Sequence, residues 1–369
     1  MDMSGRCFWP ISLLLLWLGC SGASEPGGFR AMLVPVDTIH LQEPDTLFLG
    51  EFLSVTTTLN PFRLYVPDFR LNRVVVYDSL GRPLQVIGHP GFDEPGTLLR
   101  PYYVLVLGHQ LYVQEAYNRI SLFTTAGEFL GRRRLPAGYD PYYPFRSLSD
   151  RLLVVSVAYQ EPCSLPTEPA CPETRVVSEV DTALTRVWRR WGAFPELYQK
   201  YALAPRQAML DVLLKAALVV IGYTLDPSLY LYAVTDSGGV FKRRIALEHS
   251  AWRNPPEEMT VDLALNNRAR WEALMLQSSQ VRGVYFVADT LVLVHFDNLA
   301  RGYFRAPQQR DYTRVLPYGV LVSLSGAWQQ ALELPGPVLG RDEAFHLYIR
   351  LSDEPDRRLI GRFRVEVRR

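Results

Sequence analysis

Short apolar runs with a period of two dominate this chain, and Gly, Pro, Asn and Asp separate them. Residues 64–84 read LYVPDFRLNRVVVYDSLGRPL, and residues 111–130 read LYVQEAYNRISLFTTAGEFL. Each copy holds Leu-Tyr-Val, an acidic residue (Asp68, Glu115), Asn-Arg (Asn72-Arg73, Asn118-Arg119), an aromatic (Tyr77, Phe123) and a glycine (Gly81, Gly127). Asn72 to Asn118 and Gly81 to Gly127 both span 46 positions. The alternation predicts strands, Asn-Arg a tight hairpin connection, and the glycine a second turn. A further apolar run precedes each copy, FLSVTTT at 52–58 and YYVLVLGHQ at 102–110. Four up-and-down strands repeating every 40–50 residues make one propeller blade.

Later copies are weaker in sequence but keep the pattern. Residues 150–160 and 175–192 form a third blade with an insertion at 161–174, and residues 217–247 a fourth. The run AMLDVLL at 208–214 reads either as an inner strand or as part of a helix limited by Pro205. Residues 281–297, 319–326 and 328–334 form a fifth blade, and 345–352 with 358–367 give the middle of a sixth. The sixth is one strand short, and residues 28–41 (GFRAMLVPVDTIHL) are the donor that closes the ring without an open edge. The expected fold is therefore all-β: a six-bladed β-propeller over residues 28–369, closed by an N-terminal strand. One short helical insertion is expected at 250–280, where Leu263, Trp271, Leu274, Met275 and Leu276 fit one amphipathic helix. It is read as a cap on one face, a plug in the channel, or a lid.

Composition fits that picture and narrows the function. The chain has 369 residues, 48% hydrophobic and 21% charged, enough for a large core. A formal net charge of +1 supplies no global field for nucleic acid. Residues 1–24 read as a signal peptide: Arg6 precedes an apolar stretch at 8–18 that is too short to span a bilayer. Gly19-Cys20 then gives two readings, a lipobox in which Cys20 becomes the lipidated N-terminus, or ordinary cleavage after Ala23. Trp17 stands where the lipobox pattern has an aliphatic residue. Export to the periplasm, the outer membrane or the medium follows from both. In that oxidising setting Cys163 and Cys171, the only other cysteines of the mature chain, read as a disulfide. A metal site is the alternative, though two thiols without a nearby His are an incomplete set.

Residues 64–130 resemble NHL-type repeats, whose pattern runs strand, Asp, Asn-Arg, aromatic strand, Gly turn, strand, then a Gly-rich link ending in Pro, here residues 88–101. The whole chain resembles the six-bladed β-propeller lipoproteins and secreted proteins of Bacteroidota-like bacteria. That resemblance implies a fold and an address and leaves the activity open, because propellers host many activities.

The candidate chemistry is sparse. Six-bladed propellers that act as enzymes hold calcium with Glu, Asn and Asp, or zinc with His, on inner strands around the channel. Six histidines (His40, His89, His109, His249, His295, His346) are scattered without HxH or HxxxH spacing; His295 and His346 stand out by lying within apolar runs. Asp68, Glu115, Asp181, Asp236, Asp289 and Asp297 lie near strand ends, and the repeat position of Asp68 and Glu115 points to fixing a turn. No GxSxG elbow, Walker A loop or dinucleotide fingerprint occurs. The pairs and triplet Arg132-Arg133-Arg134, Arg189-Arg190, Arg243-Arg244 and Arg357-Arg358 read as solvated strand ends. The expected function is a monomeric, non-catalytic cell-envelope binding or scaffold module for a protein, peptide or glycan, without a cofactor and touching membrane only through a lipid anchor. The alternative is a metal-dependent lactonase-, lyase- or hydrolase-like enzyme in the channel.

Overall fold

The computed structural model of the chain describes residues 30–45, 47–135, 145–155, 169–306, 309–354 and 357–368. Residues 1–24, with Cys20, fall outside this set, as do Cys163 and most of the 161–174 insertion. Six four-stranded antiparallel sheets form the body. From inner to outer strand, blade 1 is Thr56–Leu59, Phe62–Asp68, Arg73–Tyr77 and Pro83–Ile87. Blade 2 is Tyr103–Leu107, Gln110–Glu115, Arg119–Thr124 and Phe129–Arg134. Blade 3 is Arg146–Leu148, Arg151–Val155, Arg175–Asp181 and Val187–Ala193. Blade 4 is Ala208–Leu213, Leu218–Tyr223, Asp226–Thr235 and Gly238–Ala246, so AMLDVLL is an inner strand. Blade 5 is Ser279–Ala288, Leu291–Leu299, Val315–Ser323 and Gln329–Glu333. Blade 6 is Val338–Arg341, Leu347–Ser352 and Leu359–Arg368, and its outer strand is Arg30–His40.

The strands read as nearly unbroken apolar runs because both faces of a blade are covered by neighbouring blades. In blade 1, Leu64, Val66, Val75 and Tyr77 pack toward blade 6 with Leu339, Tyr348 and Ile360. The alternate residues Tyr65, Val74 and Val76 pack toward blade 2 with Val104, Leu111 and Val113. The repeat glycines sit in the turn before each outer strand, Gly81 at φ 73° and Gly127 at φ 88°. Each precedes a register shift of the kind a left-handed glycine produces. A side chain at Gly81 would also lie 1.9 Å from the His40 carbonyl, so this glycine admits the closing strand.

That closing strand is gripped from three sides. It pairs with the third strand of blade 6 from Arg30↔Arg368 to His40↔Leu359. Gln330 of blade 5 accepts from the Ala31 amide at 2.7 Å and donates to its carbonyl at 2.8 Å. The Gln42 amide donates to Gly81 of blade 1 at 2.9 Å.

Up-and-down strands sort the connections between two faces. Turns between first and second strands, and between third and fourth, lie on one face, here called the turn face. Connections between second and third strands, and between blades, lie on the other. The long ones, residues 41–55, 88–102, 194–207, 247–278 and 300–314, all belong to this second face.

The expected single helix at 250–280 is instead two short helices, Val261–Asn266 and Arg268–Met275. Asn267 breaks the run and caps the second helix, its side chain accepting from the Arg270 amide at 3.1 Å. Leu274 and Met275 are buried against blades 4 and 5, whereas Leu265 is exposed. The helices therefore lie on the long-connection face, where Arg268 joins the lining of the channel. Among the described residues, no helix is long and apolar enough to cross a membrane.

Candidate functional site

The six inner strands surround a channel of about 2350 Å³. Its lining runs from Arg70 and Arg100 at the long-connection face to Lys215 and Glu343 at the turn face. Around the wall stand Thr56, Val104, Ser147, Asp211, Tyr285 and Gly340, one from each blade. The wall is mixed in character, and three clusters of polar and charged groups stand out in it.

The first ties three blades to Asp211. This carboxylate, fully buried in the blade 4 inner strand, accepts from Arg146 of blade 3 at 3.1 Å and from two nitrogens of Arg341 of blade 6. The Phe286 amide of blade 5 also donates to it, at 2.8 Å. Arg341 reaches on to the Val212 carbonyl at 2.7 Å. Burial pushes the Asp211 carboxyl up, but Arg341 and Arg146 outweigh it and hold the group below the usual carboxylate range. Two guanidiniums on one carboxylate leave this level of the channel with an excess positive charge.

The second cluster belongs to blade 5. His295 Nε2 lies 2.9 Å from Asp297 Oδ1, and Arg282 Nε lies 3.4 Å from Asp297 Oδ2. His295 is 1% exposed. The third closes the first turn of blade 6: Asp342 accepts from the His346 amide and Nδ1, both at 2.9 Å, and from the Tyr348 hydroxyl at 3.1 Å. Burial first, then the Asp342 charge, pushes the Tyr348 phenol well up. Of the two histidines singled out in sequence, His295 therefore lines the channel and His346 is a turn clasp.

The carboxylates at strand ends are structural where the repeat placed them. Asp68 is fully buried and accepts from the amides of Arg70 and Leu71 in its own hairpin, and from Gly50 and Glu51 in the preceding connection. Glu115, at the matching position, accepts instead from the Leu99 amide of the preceding connection and from the Ser121 hydroxyl of the following strand, both at 2.5 Å. Asp181 caps its turn through Thr185 and Arg186; burial pushes its carboxyl up, but these hydrogen bonds together outweigh it and pull the group down. Asp289 pairs with Lys215 on the turn face, and Asp236 is exposed in a turn. Asn72 sits at φ 57° and accepts from the Arg100 amide at 2.7 Å, joining blade 1 to blade 2.

One basic pair departs from the solvated reading. Arg358 is 4% exposed, donates to the Leu49 and Gly50 carbonyls, and lies over the Phe48 ring. Arg350 likewise is buried over Phe52 and donates to its carbonyl. Together they pin the connection into blade 1. In contrast Arg70 and Arg100, both exposed at the channel rim, have no ion pair among the described residues. Phe69 and Tyr102 stack beside them, ring centroids 5.8 Å apart.

Sequence reasoning missed the Asp211 cluster. The available signal was a single carboxylate inside the apolar run AMLDVLL, which a strand edge facing a channel explains. Cys171 carries a disulfide bond; its expected partner, Cys163, is outside the described residues. Among the described residues no three His, Cys, Asp or Glu side chains are placed to hold a metal ion.

No family model and no curated protein matches this sequence. Solved structures do. An exported protein of Bacteroides fragilis NCTC 9343 superposes with a TM-score of 0.60 at 14% identity, over 92% of this chain and 96% of that one. A member of the DUF4221 family from Bacteroides vulgatus ATCC 8482 gives a TM-score of 0.64 at 12% identity, over 91% and 98%. At these identities the likeness is one of fold, and over nearly its whole length this chain shares the fold of these two Bacteroides proteins.

Proposed function

We propose that the chain is an exported, non-catalytic binding or scaffold module of the cell envelope, taking a protein, peptide or glycan segment at the channel mouth on the long-connection face. One observation supports this most: the long connections and the unpaired cations Arg70 and Arg100 meet at the same mouth, whereas Asp211, Arg146 and Arg341 deeper in the wall occupy one another. Ligands bind preferentially in concave, partly apolar sites with a few convergent polar groups. Elemental mass spectrometry of the purified mature chain separates this reading from a metal-dependent enzyme. The expected result is substoichiometric calcium and zinc; one ion per chain after dialysis would overturn it.

The topology also supports an orientation. Arg30 pairs with Arg368 at the turn face, and nine residues separate Arg30 from Cys20. In this reading Cys20 is acylated, and the chain between spans at most about 35 Å. The turn face then lies toward the membrane and the mouth points away from it. Cys20→Ser is expected to move the protein from the membrane to the soluble fraction, since acyl chains supply the anchoring; unchanged fractionation would remove the anchor from the proposal.

A further inference from the structure

The mouth on the long-connection face sets two cations apart from the others in the channel lining. Nine arginines and lysines line the cavity. Seven of them stand within ion-pair distance of a carboxylate, from Arg146 on Asp211 and Arg282 on Asp297 to Arg350 on Asp353. Among the described residues Arg70 and Arg100 are the two that do not, and both are exposed at the rim, where a ligand reaches them without any part of the fold moving. The other carboxylates of this mouth lie toward blade 6: Glu354 follows the second strand of that blade, and Glu51 acts on the buried Arg350 guanidinium. The side formed by blades 1 and 2 therefore keeps its positive charge.

The two cations are held in place by specific contacts. Arg100 sits at φ 49°, a left-handed backbone that is unfavourable for an arginine. Asn72 holds it there, its Oδ1 accepting from the Arg100 amide at 2.7 Å. Asn72 lies two positions after Arg70 in the same hairpin, so one bond ties together the backbones that carry both guanidiniums. The stacked rings of Phe69 and Tyr102 join the same two segments. Asn118, the matching residue of the next repeat, has an unpartnered Oδ1, so this tie is not a general demand of a blade. Backbone strain of this kind persists only where the surrounding structure over-determines it, and it gathers at ligand sites.

Apolar side chains complete the rim. Leu53 and Leu351 are exposed in the cavity lining at the same mouth. Tyr117, 70% exposed, stands beside this segment, because the Ala116 amide donates to the Leu99 carbonyl at 3.1 Å. Guanidiniums match carboxylates, and exposed leucines suit apolar side chains better than the hydroxyls of a sugar.

We propose that this mouth binds an acidic, partly apolar peptide segment, with its carboxylates on Arg70 and Arg100 and its apolar side chains on Leu53 and Leu351. This rests on the reading of the chain as a binding module and names the chemistry of the partner.

The test is fluorescence anisotropy of the mature chain with labelled hexapeptides that alternate Leu with Glu, Leu with Gln, or Ser with Glu, and with labelled polygalacturonate as an acidic glycan. The Leu-Glu peptide is expected to bind, less tightly as salt screens the exposed charges. The Leu-Gln and Ser-Glu peptides should each bind at least about fivefold more weakly. Arg70→Gln and Arg100→Asn should each weaken the Leu-Glu peptide by about fivefold or more, the loss of one charge-assisted contact at an exposed site. Arg100→Asn should do so without lowering the midpoint of thermal unfolding, because asparagine tolerates the left-handed backbone; that split separates a binding role from a structural one. Arg70 is exposed, so Arg70→Gln keeps the test open if Arg100→Asn does not fold. No binding by the Leu-Glu peptide, equal binding by either control peptide, or unchanged affinity in the Arg70→Gln variant would overturn the proposal. Binding of polygalacturonate in place of the peptide would overturn the peptide partner and leave the binding-module reading standing.

Discussion

Asp211→Asn should cost about 3–5 kcal/mol of folding stability, because it strands two guanidiniums that this carboxylate holds in the channel wall. The substitution preserves volume, so a cavity does not account for the loss. Replacing Asp211, Arg146 and Arg341 together with apolar residues of similar size should recover most of it, since removing a whole buried charge cluster is often neutral. Chemical denaturation of the three proteins, read by one cooperative transition, checks both statements. A loss below about 1 kcal/mol for Asp211→Asn would mean that the cluster does not bind the blades together. The pH dependence has a defined sign. The folded-state pKa of Asp211 is depressed, so its contribution is present above the unfolded carboxylate value near 3.9 and is lost as pH falls through the lower folded value. The stability difference between wild type and Asp211→Asn should therefore shrink below about pH 4 and stay constant above it.

Deleting residues 30–40 should have the larger effect. The deletion removes a complete antiparallel ladder and exposes the edge of Leu359–Arg368, a strand with no other partner on that side. It also leaves Gly81 and Gln330 facing empty space where His40 and Ala31 stood. A domain with about 5–15 kcal/mol of total stability does not survive an open ring, and an unpaired edge invites aggregation. Size-exclusion chromatography should show soluble aggregate in place of monomer. A synthetic peptide covering residues 29–42, added during refolding, should restore monomer by strand addition. A truncated chain that stays monomeric with an unchanged transition would show that the ring closes elsewhere.

How much of this was legible in sequence depends on how local the causing interactions are. Blades 1 and 2 could be read directly, because alternation, Asn72 and Asn118 in left-handed turns, and Gly81 and Gly127 before the outer strands are local demands of a blade. The closing strand was legible by elimination: the sixth blade lacked a partner and residues 28–41 had the right pattern. Asp68 and Glu115 were read as turn-fixing; Asp68 does fix its hairpin and also grips the preceding connection, whereas Glu115 ties that connection to Ser121 of the following strand. The Asp211 cluster was not legible, since it joins residues 65, 75 and 130 positions apart that meet only once the ring has closed. Arg358 looked like a solvated basic residue because nothing near it in sequence shows that residues 48–50 fold over it. The helix break at Asn267 was half visible: Asn266-Asn267 weakened the amphipathic pattern, and a cap in mid-run proved stronger than the periodicity.

The proposal that ligands enter at the long-connection mouth is tested most directly by site-specific photo-cross-linking in cells that make the protein. A photoreactive phenylalanine at position 70 or 100 reports on the mouth, and one at position 215 reports on the turn face, where Lys215 is also exposed. The expected result is the same discrete adduct from positions 70 and 100 and none from position 215. Adducts from position 215 alone, equal adducts from all three, or none from positions 70 and 100 would contradict it.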